Sequence, residues 1–110
     1  MPHLLCNQVR LFYQETGAGN ETIVFSHGLL FDHRMWDAQV DYFKDNYRCI
    51  AYDHRGQGQS LATGNMDMDT LYEDAVSLLE QLTGNSPVHF VGLSMGGFVG
   101  LRIERFKDTF

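Results

Sequence analysis

Three short runs of apolar, β-favouring residues constrain the fold more than anything else in the chain: Thr22 to Ser26 (TIVFS), Arg48 to Tyr52 (RCIAY) and Pro87 to Val91 (PVHFV). They are continuous or nearly so, the pattern of a strand buried on both faces. Pro87 is acceptable there only as a first residue. Helical periodicities lie between and after them. Residues 34–44 place Trp36, Val40 and Phe43 at i, i+4 and i+7, and Asp32 or His33 falls where that helix would be capped. Residues 69–82 place Leu71, Ala75, Leu78, Leu79 and Leu82 on one face, with Asp69 or Thr70 at the start and Gly84 at the end. From Ser94 the pattern is helical again, with Phe98, Leu101 and Arg102 on one side. A further strand, Val9 to Gln14, runs into the turn signal Gly17-Ala18-Gly19-Asn20. This alternation predicts an α/β fold, a mostly parallel sheet with helices on both faces and right-handed crossovers. No repeat, linker or low-complexity tract divides the chain, so residues 1–110 are read as one domain.

Composition narrows the function classes. A hydrophobic share of 44% with 20% charged residues describes a globular chain, not a disordered one. No run is long enough to span a membrane, and the start Met1-Pro2-His3-Leu4-Leu5-Cys6 lacks a basic stretch followed by an apolar core, so a cytoplasmic location is expected. Eight basic against fourteen acidic residues give a net charge of −6 with no basic stripe, which argues against nucleic acid or anionic membrane as partners. Cys6 and Cys49 have no metal-ligand spacing, and Cys49, inside an apolar run, reads as a buried free thiol. No metal or cofactor is expected. Asp53 to Ser60 (DHRGQGQS) is a tight glycine loop. It lacks the third glycine of a dinucleotide fingerprint, and no helix begins there.

The reactive candidate is Ser94, within Gly92-Leu93-Ser94-Met95-Gly96. In an open parallel sheet the functional groups collect beyond the carboxyl ends of the strands, and Ser94 follows the last predicted strand directly. A serine at the tip of a sharp strand-to-helix turn holds its backbone under strain. Glycine two residues before and after removes the side chains that would collide with the neighbouring backbone. Gly97 and Gly100 then let the helix lie close to the sheet. The free N–H groups at the helix start favour a developing oxyanion, and the Met95 N–H is the first of them.

Three segments, VFSHGLLFDHRMW, AYDHRGQGQS and VGLSMGGFVGL, resemble in order and spacing the signature segments of the α/β-hydrolase fold. The likeness is closest to small esterases, lactonases and cofactor-free haloperoxidases, and covers residues 9 to 106. It implies Ser94 as nucleophile and the backbone N–H groups of Met95 and Leu29 as the oxyanion hole, with Leu29, Leu30 and Phe31 lining the acyl pocket. His27, Gly28, Gly92, Gly96, Asp53 and Arg55 are implied to be structural around the site. Asp53 and Arg55 are expected to hold their loop by local charge-assisted hydrogen bonds. The stripe Trp36, Tyr42 and Phe43 is expected to be core. Met66 and Met68 are placed in a loop.

In this family the acid and the histidine of the triad follow the serine. Residues 95–110 hold Glu104 and Asp108, both on the predicted helix, and no histidine. The chain is therefore read as the N-terminal half of a hydrolase, ending inside the helix after the nucleophile. Its intact parent would cleave an ester or lactone through an acyl-enzyme. Carbon–carbon bond hydrolysis and perhydrolysis are the alternatives within the family. His27 or His54, on loops at the same sheet edge, is an alternative base. Taken alone, the chain is expected to be inactive, or to serve as an interaction module. It is also expected to be unstable or to associate through the exposed strand at 88–91, with itself or with a missing C-terminal half.

Overall fold

The computed structural model describes residues 3–28, 31–60, 67–84 and 86–106, and of residues 104–106 only the backbone. The apolar runs pair into one sheet of five strands: β1 (His3–Cys6), β2 (Val9–Thr16), β3 (Thr22–Ser26), β4 (Arg48–Tyr52) and β5 (His89–Gly92), in the order β1-β2-β4-β3-β5. A 3-10 turn, His33–Trp36, leads into α1 (Asp37–Phe43), while α2 (Met68–Thr83) and α3 (Met95–Phe106) flank β5 in the chain. β3 pairs in parallel with β4 and β5, and β2 pairs antiparallel with β1 and β4, so the sheet is mixed.

The strands read as continuous apolar runs because both faces are covered. Side chains alternate between the faces along a strand. Val24, Ile50 and Tyr52 meet Leu71, Ala75 and Leu78 of α2 and Val99 and Ile103 of α3. Ile23, Phe25, Cys49 and Ala51 meet Trp36 on the other face. Each fully buried large side chain contributes about 1.5–3 kcal/mol. Cys6 and Cys49 are both buried free thiols.

Several expectations are corrected. β1 was not anticipated. It forms a hairpin with β2 through Asn7 and Gln8, both at positive φ (51° and 70°), a two-residue mirror-image turn without the usual glycine. Tyr42 is not core: it is 77% exposed, because position 42 lies about 200° around α1 from Val40, which packs against the core. The cap of α2 is Asp67, not Asp69 or Thr70: its Oδ1 accepts the Thr70 N–H at 2.8 Å. Met68 is the first residue of α2, while Met66 lies outside the described residues. Pro87 precedes β5 and takes no part in it. Asp32, the better of the two candidates for the first cap, accepts the Arg34 N–H at 2.9 Å. Among the described residues, no helix is long and apolar enough to cross a membrane.

Candidate active site

Register brings the site together. Ser26 pairs with Tyr52 on one side and with Gly92 on the other, so β3, β4 and β5 end level. The residues just beyond them, His27-Gly28, Asp53-His54 and Leu93-Ser94, therefore emerge at the same end of the sheet.

Ser94 stands between β5 and α3 and is exposed. Its φ is +53°, a left-handed conformation that costs a residue with a Cβ on the order of 1 kcal/mol. The surrounding packing holds it there. The Leu93 N–H donates to the Ser26 carbonyl at 3.2 Å, the Gly96 N–H to Leu93 at 3.0 Å and the Phe98 N–H to Ser94 at 3.0 Å. A Cβ on Gly92 would fall within 3.0 Å of the Gly96 and Gly97 backbone, and one on Gly96 within 3.0 Å of Ser26 and His27. The two glycines flanking the serine are thus required by closeness of backbone to backbone. α3 begins at Met95, so its first N–H groups have no acceptor within the helix and lie beside Ser94.

The loop after β3 packs on this turn. A Cβ on Gly28 would stand 3.3 Å from the Leu93 carbonyl oxygen, 3.6 Å from the Phe31 ring and 3.7 Å from Ser94 Cβ. Phe31, the implied pocket residue, is 54% exposed, and the groove that contains Ser94 is lined by other residues. Leu29 and Leu30, the implied second oxyanion donor and pocket residue, lie outside the described residues.

His27 is buried and braces that loop. Its Nε2 accepts the His54 N–H at 2.9 Å, so its single proton sits on Nδ1 and is donated to the Gly28 carbonyl at 2.7 Å. Burial holds its pKa below the usual histidine range. His54 is also buried, its Nε2 lies 3.0 Å from Ser26 Oγ, and burial pushes its pKa down to about 3. Both rings are thus committed to partners other than Ser94.

Asp53 is fully buried. Its Oδ1 accepts the N–H (2.6 Å) and the Nδ1–H (2.8 Å) of His33, and its Oδ2 accepts the Gln59 N–H at 2.8 Å. It ties the loop after β4 to the turn before α1. Arg55 departs from the expected local role. It forms a bidentate pair with Asp74 of α2, at 2.7 and 2.8 Å, and donates to the Asn7 carbonyl at 3.3 Å. Sequence separation hid this pairing: Asp74 sits on the buried face of α2, a lone carboxylate in an apolar stripe, and that was the available signal. Ser26, His33 and Tyr52 were also missed, although Ser26 and Tyr52 are polar residues closing apolar strands.

Ligand atoms of Asp32, His33 and Asp53 lie within 4.8 Å of one another. Their donors are already engaged: Asp53 by His33, and Asp32 by the Arg34 guanidinium, which holds the Asp32 carboxyl down at about 2. Glu104 falls within α3 but its side chain lies outside what is described, as does Asp108 entirely.

A mixed sheet flanked by helices on both faces, with a glycine-flanked serine at positive φ where its last strand meets a helix, is the architecture of one large class of hydrolases. Residues 21–103 match the family described as alpha/beta hydrolase fold, and the chain belongs to that family. It is 44% identical over 79 residues to 3-oxoadipate enol-lactonase 1 of Acinetobacter baylyi, an alignment covering 72% of this chain and 29% of that protein. It is 38% identical over 101 residues to the non-heme chloroperoxidase of Burkholderia pyrrocinia, covering 88% and 36%. The crystal structure of the enol-lactonase from Burkholderia xenovorans LB400 superposes with a TM-score of 0.91 at 32% identity, covering 98% of this chain and 43% of that one. The chain spans less than half the length of each of these relatives.

Proposed function

We propose that these residues carry the nucleophile of a serine hydrolase that cleaves an ester or lactone through an acyl-enzyme. The observation supporting this best is the backbone of Ser94: a non-glycine residue at φ +53°, exposed, at the start of a helix. Ser94 Oγ attacks the substrate carbonyl and its proton passes to a base. The carbonyl oxygen gains negative charge facing the Met95 N–H and, by family resemblance, that of Leu29. Each such donor lowers the barrier by roughly 3 kcal/mol. The tetrahedral intermediate collapses, the alcohol leaves with the proton, and the acyl group stays on Ser94 until water releases it. Phe31, with Leu29 and Leu30, contacts the acyl group. The lactonase relative supports a cyclic ester as substrate class, and a relative described as a bifunctional esterase/perhydrolase supports an open-chain one. That same relative favours one second reading, hydrogen peroxide in place of water as acyl acceptor, giving a peracid.

By family resemblance the base and its orienting acid follow the serine in the chain, and the relatives run to more than twice this length; His27 has both ring nitrogens engaged and His54 Nε2 faces Ser26. β5 ends the strand order, and beside it runs an open groove of about 460 Å³ lined by Phe90, Gly92, Ser94, Gly97, Phe98, Gly100 and Leu101. Phe98 and Leu101 are each 62% exposed. We take this edge as the seat of the rest of the hydrolase domain, with self-association as the competing outcome.

The test uses a fluorophosphonate probe with mass-spectrometric mapping, on the 110-residue chain and on a protein that continues into the rest of the domain. Labelling of Ser94 is expected in the longer protein and is abolished by Ser94→Ala. The lone chain is expected to leave an activated ester untouched. Ester turnover by the longer protein that survives Ser94→Ala would overturn the assignment.

A further inference from the structure

The groups that seat Ser94 are themselves held by a residue that acyl transfer does not use. His54 follows β4 and makes two bonds to the end of β3. Its Nε2 lies 3.0 Å from Ser26 Oγ, and its backbone N–H donates to His27 Nε2 at 2.9 Å. Its ring packs edge-on against His27 and Tyr52, with centroids 4.5 and 5.0 Å away. Both bonded partners carry the Ser94 turn. The Ser26 carbonyl accepts the Leu93 N–H, and Gly96 packs against that same carbonyl too closely to admit a Cβ. His27 holds Gly28, which faces the Leu93 carbonyl and Ser94 Cβ.

Proton accounting gives these bonds a direction. Tyr52 Oη lies 3.0 Å from Ser26 Oγ. If Tyr52 donates to Ser26 and Ser26 donates to His54 Nε2, both hydroxyl protons are used, and the His54 proton sits on Nδ1. Among the described residues, that Nδ1 is buried and has no partner. The reverse direction strands the Tyr52 proton as well as the Nδ1 lone pair, so the first arrangement wastes less hydrogen-bonding capacity. The buried ring is neutral at working pH, as an acceptor must be.

Resting on the reading of Ser94 as nucleophile, we propose that His54 is a positioning residue: by accepting the Ser26 hydroxyl and anchoring the His27 ring, it fixes the Ser26 carbonyl and Gly28, between which the Ser94 turn is wedged. It acts through those two residues and not on the substrate. A reactive group displaced by about 1 Å loses on the order of 100-fold in rate, so a small slackening here is measurable.

The test compares His54→Phe, which keeps a ring and the backbone N–H but loses the acceptor, with His54→Gln, which restores an acceptor oxygen, and with the milder Ser26→Ala. Amide hydrogen exchange reads the Leu93 N–H, held by the Ser26 carbonyl, against Leu78 in the core of α2. Phosphonate labelling reads the reactivity of Ser94 in the protein that continues beyond residue 110. His54→Phe and Ser26→Ala are expected to speed exchange at Leu93 about tenfold while sparing Leu78. The labelling rate is expected to fall by roughly 10–100-fold, and His54→Gln to recover most of both. Unchanged protection at Leu93 in both variants would overturn the proposal. So would a parallel loss at Leu78, which would make His54 a general core residue, or an unchanged labelling rate. If the parent protein takes no phosphonate at Ser94 while Leu93 still responds to His54→Phe, the positioning role stands and the nucleophile reading fails.

Discussion

Neighbouring glycines in the first turn of α3 should respond in opposite ways to alanine. Gly96 has no room: a Cβ there lands well inside 3.0 Å of the Ser26 and His27 carbonyls, which are backbone and held by the sheet. Overpacking against a rigid neighbour costs about 3 kcal/mol, the upper end of its usual range. The helix propensity of alanine over glycine returns about 1 kcal/mol, which leaves a net loss of ~2 kcal/mol. At Gly97 the nearest atom to a new Cβ is the Gly92 carbonyl oxygen at 3.4 Å, an ordinary contact. There the propensity gain stands alone, about 1 kcal/mol in favour of the variant. The two variants should thus differ by ~3 kcal/mol. With an m-value of roughly 1.5 kcal/mol/M, that difference separates their urea midpoints by about 2 M. The assay is urea unfolding followed by circular dichroism, with Gly96→Ala, Gly97→Ala and the parent at one protein concentration, so that any association through β5 is common to all three. Equal midpoints for the two variants, or a fall in Gly97→Ala as deep as in Gly96→Ala, would refute the claim that backbone closeness at residue 96 holds the Ser94 turn.

Stability should also depend on pH through His27 and His54, whose folded pKa values are depressed. Below about pH 6.5 the unfolded chain binds protons that the folded chain refuses. The contribution is therefore complete above that pH and falls toward acid, by up to ~1.4 kcal/mol per pH unit for each histidine. Urea midpoints at pH 7 and 5 measure it; His54→Phe should reduce the slope, and a flat profile in the parent would contradict the assignment. Breaking the buried Arg55–Asp74 pair by Asp74→Ala should cost about 3–5 kcal/mol, whereas replacing both partners by apolar residues of similar volume should recover most of it, as a double-mutant cycle would report. A lysine at Val91, on the open edge of β5, should suppress association of the 110-residue chain in sedimentation velocity; unchanged sedimentation would exclude that edge as the contact.

Much of the frame was legible because it rests on local pattern. TIVFS and RCIAY became β3 and β4 with the bounds read from the sequence, since runs without polar alternation fit only strands covered on both faces. The turn at Ser94 was legible because a pinched backbone demands glycine at fixed offsets. What escaped were features set by distant partners or by unusual turn residues. β1 was hidden because its hairpin uses Gln8 at a position where glycine is the usual signal. The partner of Arg55 lies on another element, and the Ser26–Tyr52–His54 cluster exists only once β3 and β4 are in register. The second oxyanion donor implied at Leu29 depends on a loop outside the described residues.

β3 lies between two parallel neighbours, and its last residue offers a carbonyl to the serine turn on one side and a hydroxyl to the β4 side on the other. If Ser94 is the nucleophile as proposed, anchoring and substrate contact are thereby separated along one short segment. Ser26 and His27 are spoken for on every side, while Phe31, a few residues downstream, faces outward with few obligations. On the proposed function, a lineage descended from such a chain could exchange the Phe31 side chain to change substrate preference while Ser26 and His27 stay fixed; that position is where a protein engineer would begin.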